Sequence, residues 1–248
     1  MTKLEGKVAI VTGASKGLGA GIAKALAQDG AAVVVNYASS REGADAVVQA
    51  ITSAGGQAVA VHGDVSKAGD AQGLIDAAIS NFGRLDILVN NSGIFEFSPV
   101  EQVTEDHYRR QFDINVLGVL LMTQAATKHL QEGASVINIS SSITSLRSPG
   151  TAVYTATKAA VNAISDVLVK ELAPRGIRVN VVSPGFVVTE GTKTAGIAGS
   201  DMEAGIVSQT PLGRAGAPDD IARVVAFLAS DDARFLTGEN IFASGGLR

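Results

Sequence analysis

Seven short, β-branched apolar runs punctuate the chain, at residues 8–11, 32–35, 58–61, 87–89, 136–139, 177–182 and 240–242. They read as continuous apolar stretches and do not alternate with polar residues, the pattern of strands covered on both faces. Between them lie segments with helical periodicity: 18–28, 42–54, 71–82, a long one from 105 to about 130, 154–172 and 219–229. Strand and helix alternate throughout, with no two strands in succession. That order predicts an α/β fold: a Rossmann-type, doubly wound parallel sheet of about seven strands with helices on both faces. A closed eight-stranded barrel would need one more unit.

The 248 residues are 46% hydrophobic and 18% charged, enough to bury a sizeable core in one domain spanning 1–248. Aromatic residues make up 4%, Trp is absent and Gly numbers 28, so small aliphatic side chains and close backbone approaches must do the packing. The net charge of -4, with no basic run, argues against a nucleic-acid partner, which needs a cationic stripe to displace counterions. The absence of cysteine removes disulfides, thiolate metal sites and cysteine nucleophiles, and fits a reducing compartment. His62, His107 and His129 are scattered and read as ordinary surface or core residues, so no metal is expected. The apolar stretch before Gly13 is too short for a signal-peptide core, and no window approaches the roughly 18 apolar residues of a membrane span. A cytoplasmic protein that does not touch membrane is expected. The segment 189–210 is rich in Gly, Ala, Ser and Thr without a firm helical period, and is read as a mobile lid over the substrate.

The first strand runs directly into Thr12-Gly13-Ala14-Ser15-Lys16-Gly17-Leu18-Gly19 and then a helix. A glycine-rich turn at a helix start offers backbone N–H groups and a positive dipole end to an anion, the natural seat of a pyrophosphate. Gly13 to Gly17 also spell the G-x-S-x-G of a hydrolase nucleophile elbow. That reading needs an oxyanion loop upstream, where only twelve residues stand, and a well-placed acid and histidine downstream, which are missing.

Thr12-Gly13-x-x-x-Gly17-x-Gly19, Asn90-Asn91-Ser92-Gly93 after the fourth strand and Tyr154-x-x-x-Lys158 occur in one order, each at the carboxyl end of a predicted strand or on the following helix. Together they resemble the classical short-chain dehydrogenase/reductase family over essentially the whole chain, with Ser92 standing where the family usually has alanine. The resemblance implies a nicotinamide cofactor seated on Gly13, Ser15, Lys16, Gly17, Leu18 and Gly19, with Asn91 and Gly93 further along. The second strand ends in Asn36-Tyr37-Ala38, expected to border the cofactor, with no acid to hold a ribose 2′-hydroxyl, while Lys16, Ser39, Ser40 and Arg41 can meet a 2′-phosphate, so NADP(H) is expected. The alternative for Lys16 and Arg41, less favoured, is that both are solvated surface charges. Asp64, followed by Val65, resembles the family's adenine contact, with a helix cap as its structural alternative.

Tyr154 and Lys158 lie four apart and so share a helix face. An ammonium about 4 Å from a phenol favours the phenolate by roughly 4 kcal/mol at an effective dielectric of 20, some three pKa units before desolvation opposes it, which would carry Tyr154 towards the operating pH. The resemblance gives Tyr154 the proton exchange with the substrate oxygen, Lys158 the nicotinamide ribose, Ser141 a hydrogen bond to the same oxygen and Asn115 a water in the proton relay. Ser140 and Ser142 flank Ser141, but alternation turns them the other way. Pro184, Gly185, Val187 and Thr189 resemble the segment that contacts the nicotinamide amide. The pocket is expected among Ile94, Phe95, Ile143, Ser148, Phe186, Val187 and the lid, mostly apolar and without an arginine to grip a carboxylate. These residues imply a carbonyl reductase or secondary-alcohol dehydrogenase acting on a small neutral ketone. Within the resemblance, 3-oxoacyl carrier-protein reductases, glucose dehydrogenases and hydroxynaphthalene reductases share the motifs. For a carrier-protein substrate Arg175 argues in favour and Glu132 against. A catalytically idle dinucleotide sensor is the reading from another class, and a homotetramer is the expected assembly.

Overall fold

The computed structural model describes residues 2–248. In chain order its elements are β1 (Val8–Val11), α1 (Gly17–Gln28), β2 (Ala32–Tyr37), α2 (Arg41–Ser53), β3 (Gln57–His62), α3 (Ala68–Phe82), β4 (Ile87–Asn90), α4 (Glu105–Phe112), α5 (Gly118–Ala126), β5 (Ser135–Ile139), α6 (Ile143–Leu146), α7 (Ala152–Leu172), β6 (Arg178–Pro184), α8 (Glu190–Thr194), α9 (Asp201–Gln209), α10 (Pro218–Ala229) and β7 (Asn240–Ala243). The seven strands form one parallel sheet in the order β3-β2-β1-β4-β5-β6-β7. All seven apolar runs are strands, as the alternation predicts, and a single sheet carries the whole chain.

Sheet alternation divides the core. Ala9 and Val11 of β1 join Ile22 and Leu26 of α1, Val47 of α2 and Val225 and Leu228 of α10 on one face. Val8 and Ile10 join Leu74 and Ile75 of α3, Met122 of α5 and Leu172 of α7 on the other. Burial on both faces accounts for the unbroken apolar runs of β1, β2, β4, β5 and β6, whereas the edge strands β3 and β7 are only partly covered. β1 pairs with β2 on one side and β4 on the other, so the chain reverses direction across the sheet at that point. The crevice this leaves at the carboxyl ends of the strands is where ligands of such sheets bind.

The long segment from 105 is helical without a gap as far as Ala126, and α4 and α5 are joined within it by a π-helical turn over Asp113–Leu117, closed by a hydrogen bond from Gly118 N–H to the Asp113 carbonyl. The segment 189–210 is not irregular, since it holds α8 and α9. The short helix α6, directly after the Ser140–Ser142 run, escaped the sequence pattern. No helix among the described residues is long and apolar enough to cross a membrane.

Candidate active site

The glycine turn between β1 and α1 is held from three sides. Thr12 Oγ1 accepts from the N–H groups of Asn91 and Ser92, both at 2.9 Å. Asn91 Nδ2 donates back to the carbonyls of Thr12 (2.8 Å) and Gly13 (3.2 Å). Asn36 accepts from Gly13 N–H at 3.0 Å and donates to the Gly63 carbonyl at 2.9 Å, tying the turn to the ends of β2 and β3. The cradle admits no side chain at its centre: a Cβ on Gly19 would stand 2.4 Å from the Gly13 carbonyl oxygen and 2.5 Å from Asn91 Nδ2. Helix α1 starts at Gly17 with no acidic residue in its first turn and no side-chain cap from Lys16. Its exposed dipole end is met from across the crevice, where Glu190 of α8 accepts from Gly17 N–H at 2.9 Å. A carboxylate therefore sits at the place that favours an anion.

From this turn a cavity of about 670 Å³ runs along the carboxyl edge of the sheet to Tyr154. At one end it is lined by Gly13, Ser15, Lys16, Gly17, Leu18 and Gly19, with Ala38, Ser39, Ser40, Asp64 and Val65 beside them. Asn91 and Gly93 form its middle, and Ser141, Tyr154, Lys158, Pro184, Gly185, Val187 and Thr189 its far end. Four expected site residues lie outside that lining. Asn36 is 1% exposed and its side chain is spent on the turn, so its part is to shape the cradle. Tyr37 is buried with its ring edge-on to His62, 5.6 Å between centroids. Arg41 projects into solvent from the start of α2, 3.6 Å from Asp45. The fourth, Asn115, lies behind the wall. Asp64 lines the cavity while its carboxylate accepts from the N–H (3.0 Å) and hydroxyl (2.7 Å) of Ser66, and it does not cap α3, whose N-cap is Lys67.

At the far end, Tyr154 and Lys158 stand on one face of α7, with the Lys158 ammonium 5.9 Å from the centre of the phenol ring. Lys158 is 5% exposed and donates to the Ile139 carbonyl at 2.8 Å. Ser141 stays half-buried in the cavity wall, whereas Ser140 and Ser142 are both buried and Ser140 Oγ donates to the Lys158 carbonyl. The three serines lie beyond the end of β5 and all border the cavity, so strand alternation does not separate them; Ser141 is the one left half-buried. Asn115 lies in the π-helical turn and uses its amide on backbone, accepting from Ile94 N–H (2.8 Å) and donating to the Ile94 carbonyl (2.8 Å) and Thr157 Oγ1 (3.1 Å). Asn90, next to the turn-holding Asn91, donates to Asn138 Oδ1 at 2.8 Å inside the sheet.

The expected lowering of the phenol's pKa is not what the protein alone does. Burial pushes Tyr154 up to about 12, with the Ser141 hydroxyl pulling it part of the way back. Burial likewise lowers Lys158 to about 8. The reason is distance and solvent exclusion: the ammonium is turned to the Ile139 carbonyl, and desolvation disfavours both charged forms.

The structure adds residues that periodicity did not single out. Phe97, Leu146, Ile197, Met202, Ile206 and Leu247 extend the apolar lining around Ile94, Phe95, Ile143, Ser148, Phe186 and Val187. Phe97 carried a signal, since it follows Phe95 by two in an otherwise aromatic-poor chain. Gln111 is 0% exposed and the Glu190 contact spans the crevice; neither has a local sequence signature. Arg175 donates to the carbonyls of Thr127 and Leu130, so its guanidinium closes the end of α5.

Residues 13–248 match the family model described as enoyl-(acyl carrier protein) reductase. The chain is 73% identical over 248 residues, all of both chains, to an uncharacterized oxidoreductase of Methylorubrum extorquens. It is 41% identical to the 3-oxoacyl-[acyl-carrier-protein] reductase of Staphylococcus aureus, over 97% of this chain and 98% of that one. Among solved structures it superposes on a short chain dehydrogenase from Burkholderia cenocepacia in complex with NADP, with a TM-score of 0.94 and 36% identity over 99% of each chain. Sheet order, site geometry and these likenesses agree along the full length, and the chain belongs to the classical short-chain dehydrogenase/reductase family.

Proposed function

We propose that the protein is an NADP(H)-dependent carbonyl reductase that interconverts a neutral ketone and its secondary alcohol, with Tyr154 as general acid and base. The observation that carries the reading is a single cavity joining an anion-seating glycine turn to the Tyr154, Ser141 and Lys158 side chains. The cradle fits a dinucleotide: Gly19 and Gly13 leave no room for side chains, the start of α1 attracts negative charge, and similar chains from Burkholderia cenocepacia and a metagenomic library were solved with NADP and NADPH. Lys16, Ser39 and Ser40 line the end where a 2′-phosphate would be held, and β2 ends in Asn36 and Tyr37 without an acid, Asp64 being the carboxylate in that part of the lining. Bound there, the reduced nicotinamide would supply the hydride.

The chain's own residues handle the proton. A phenol held near 12 is fully protonated at neutral pH, which suits donation from Tyr154 Oη to the oxygen of a ketone as its carbon is reduced. Ser141, which bonds to the Tyr154 hydroxyl, would hold that oxygen, and Lys158, cationic below about 8, would supply positive charge behind the phenol and the next proton. Asn115 fixes the Ile94 backbone beside Gly93 and Lys158, the side from which a relay water would be held. The reverse reaction needs the phenolate and should gain with rising pH.

A neutral substrate is supported by the lining, in which Phe95, Phe97, Ile143, Phe186 and Met202 dominate and the cations are Lys16 and Lys158. Likeness to a 3-oxoacyl carrier-protein reductase favours a second reading, but Arg175 is committed to helix carbonyls. The exposed Leu117, Leu120 and Val167 support assembly into a homotetramer.

The test is a panel of aryl ketones, quinones, β-keto esters, sugars and acyl thioesters with NADPH and NADH. Turnover with NADPH preferred is expected, and Tyr154→Phe should bind NADPH normally while losing at least about a hundredfold in turnover. Unchanged turnover in that variant would overturn the role given to Tyr154, whereas NADPH binding with no turnover of any panel substrate by the wild type would favour an idle sensor. Preference for NADH would overturn the roles given to Lys16, Ser39 and Ser40.

A further inference from the structure

Between the end of β4 and Val100 the chain forms no helix or strand, yet it supplies the wall facing Tyr154. Its backbone is held at alternate residues. The amide of Asn115 takes both backbone groups of Ile94. The amide of Gln111, one helical turn earlier, does the same for Glu96, accepting from its N–H at 3.4 Å and donating to its carbonyl at 3.1 Å. Ser98 N–H then donates to the Gly150 carbonyl at 2.8 Å. Two buried amides on one helix face, 0% and 1% exposed, thus grip an irregular segment much as a neighbouring strand would.

Gln111 has little freedom to let go. Its second amide proton faces His107 Nε2 at 2.7 Å, so each polar position of the group is engaged. The Glu96 carboxylate is drawn to the same helix by Arg110. With Glu96 fastened outward, its neighbours Phe95 and Phe97 turn to the cavity. Their rings meet that of Tyr154 edge-on at 6.3 and 6.0 Å and stand 5.8 Å from each other.

We infer that Gln111 is a positioning residue that sets the Phe95 and Phe97 rings beside Tyr154 and thereby selects ketones carrying a flat aromatic group over small aliphatic ones. The inference rests on the carbonyl-reductase reading above. An aryl group next to the reacting carbonyl meets two ring edges and faces at the spacing that favours offset and T-shaped contacts, and a methyl group does not. Such contacts are worth about a tenfold preference at most for each ring pair, so the effect belongs in KM more than in kcat.

The experiment compares 1-tetralone with 2,3-butanedione, NADPH being the reductant, in the wild-type protein and in Gln111→Met, which keeps volume and loses every hydrogen bond. The expected result is a rise of about tenfold in KM for tetralone, an aryl-to-aliphatic ratio of kcat/KM lower by a similar factor, and an NADPH dissociation constant within about twofold. Gln111→Glu, protonated when buried, keeps a donor and an acceptor and should restore most of the ratio. A 4-fluorophenylalanine label at Phe97 gives a readout that needs no turnover: its ¹⁹F resonance should be single in the wild type and shifted or broadened in Gln111→Met. Equal losses on both ketones, or an unaltered ratio together with an unaltered resonance, would overturn the inference. If neither ketone is reduced by the wild type, the carbonyl-reductase reading fails on the panel while the fluorine signal still decides whether Gln111 holds the wall.

Discussion

Replacing Lys158 by methionine should make the protein more stable while disabling it. The lysine is 5% exposed and burial lowers it to about 8 from an ordinary 10.5, so at pH 7 the folded state holds a charge it would rather lose. A gap of that size corresponds to about 3 kcal/mol of destabilisation at neutral pH. Methionine matches the stem and removes the charge, but leaves the Ile139 carbonyl without its donor, which takes back about 1 to 2 kcal/mol. The net gain is about 1 to 2 kcal/mol, or a rise in melting temperature of about 2 to 8 °C for a chain of this length. The sign with pH is fixed. Unfolded lysine binds its proton up to pH 10.5 and folded lysine only up to about 8, so wild-type stability rises between those values as the penalty fades. The advantage of Lys158→Met over wild type should therefore shrink by about 1 to 2 kcal/mol between pH 7 and pH 9.5 and can change sign there. Thermal and urea denaturation at both pH values, without cofactor, check this. A variant less stable than wild type at pH 7, or a gap that does not narrow at pH 9.5, would refute the reasoning.

Two further substitutions probe the cofactor end. Gly19→Ala places a methyl against the Gly13 carbonyl at 2.4 Å, with backbone on both sides, and should weaken NADPH binding more than about tenfold and lower the melting temperature. Binding and stability both close to wild type would contradict the geometry. Glu190→Gln removes the carboxylate that meets Gly17 N–H and should tighten NADPH binding by about three- to fivefold in a fluorescence titration, since one anion no longer opposes another at the start of α1. Unchanged or weaker binding would show that Glu190 does not compete for that position.

The sheet was legible because its strands are covered on both faces: Val8–Val11, Ile87–Asn90 and Ser135–Ile139 are buried at every residue, and that writes itself into sequence as apolar runs. The cofactor end was legible for a different reason, since Gly13, Gly17 and Gly19 answer to backbone sterics that no other residue satisfies. What stayed hidden are contacts between side chains far apart in sequence. Asn36 was read as facing the cofactor because it ends β2, and only the closure of the turn shows it bonded to Gly13. The π-helical turn inside the 105–126 helix was invisible because it costs one residue and leaves the apolar period nearly intact. Gln111 and Asn115 look like ordinary polar helix positions until the irregular segment after β4 lies across them. The pull of Lys158 on Tyr154 is legible from their spacing, but the burial that outweighs it, and the turn of the ammonium towards the Ile139 carbonyl, depend on packing from distant segments.

The place of β1 in the sheet also bears on how the chain is made. Val8 pairs with Ala32 on one side, but Ala9 waits for Ile87 on the other. As synthesis proceeds from the N-terminus, β1, β2 and β3 can assemble while one edge of β1, apolar on both faces, has no native partner. Unpaired strand edges of that kind are templates for association between nascent chains. Fragments that end before Ile87 should aggregate, whereas those reaching past Asn90 can seal β1 between its two neighbours.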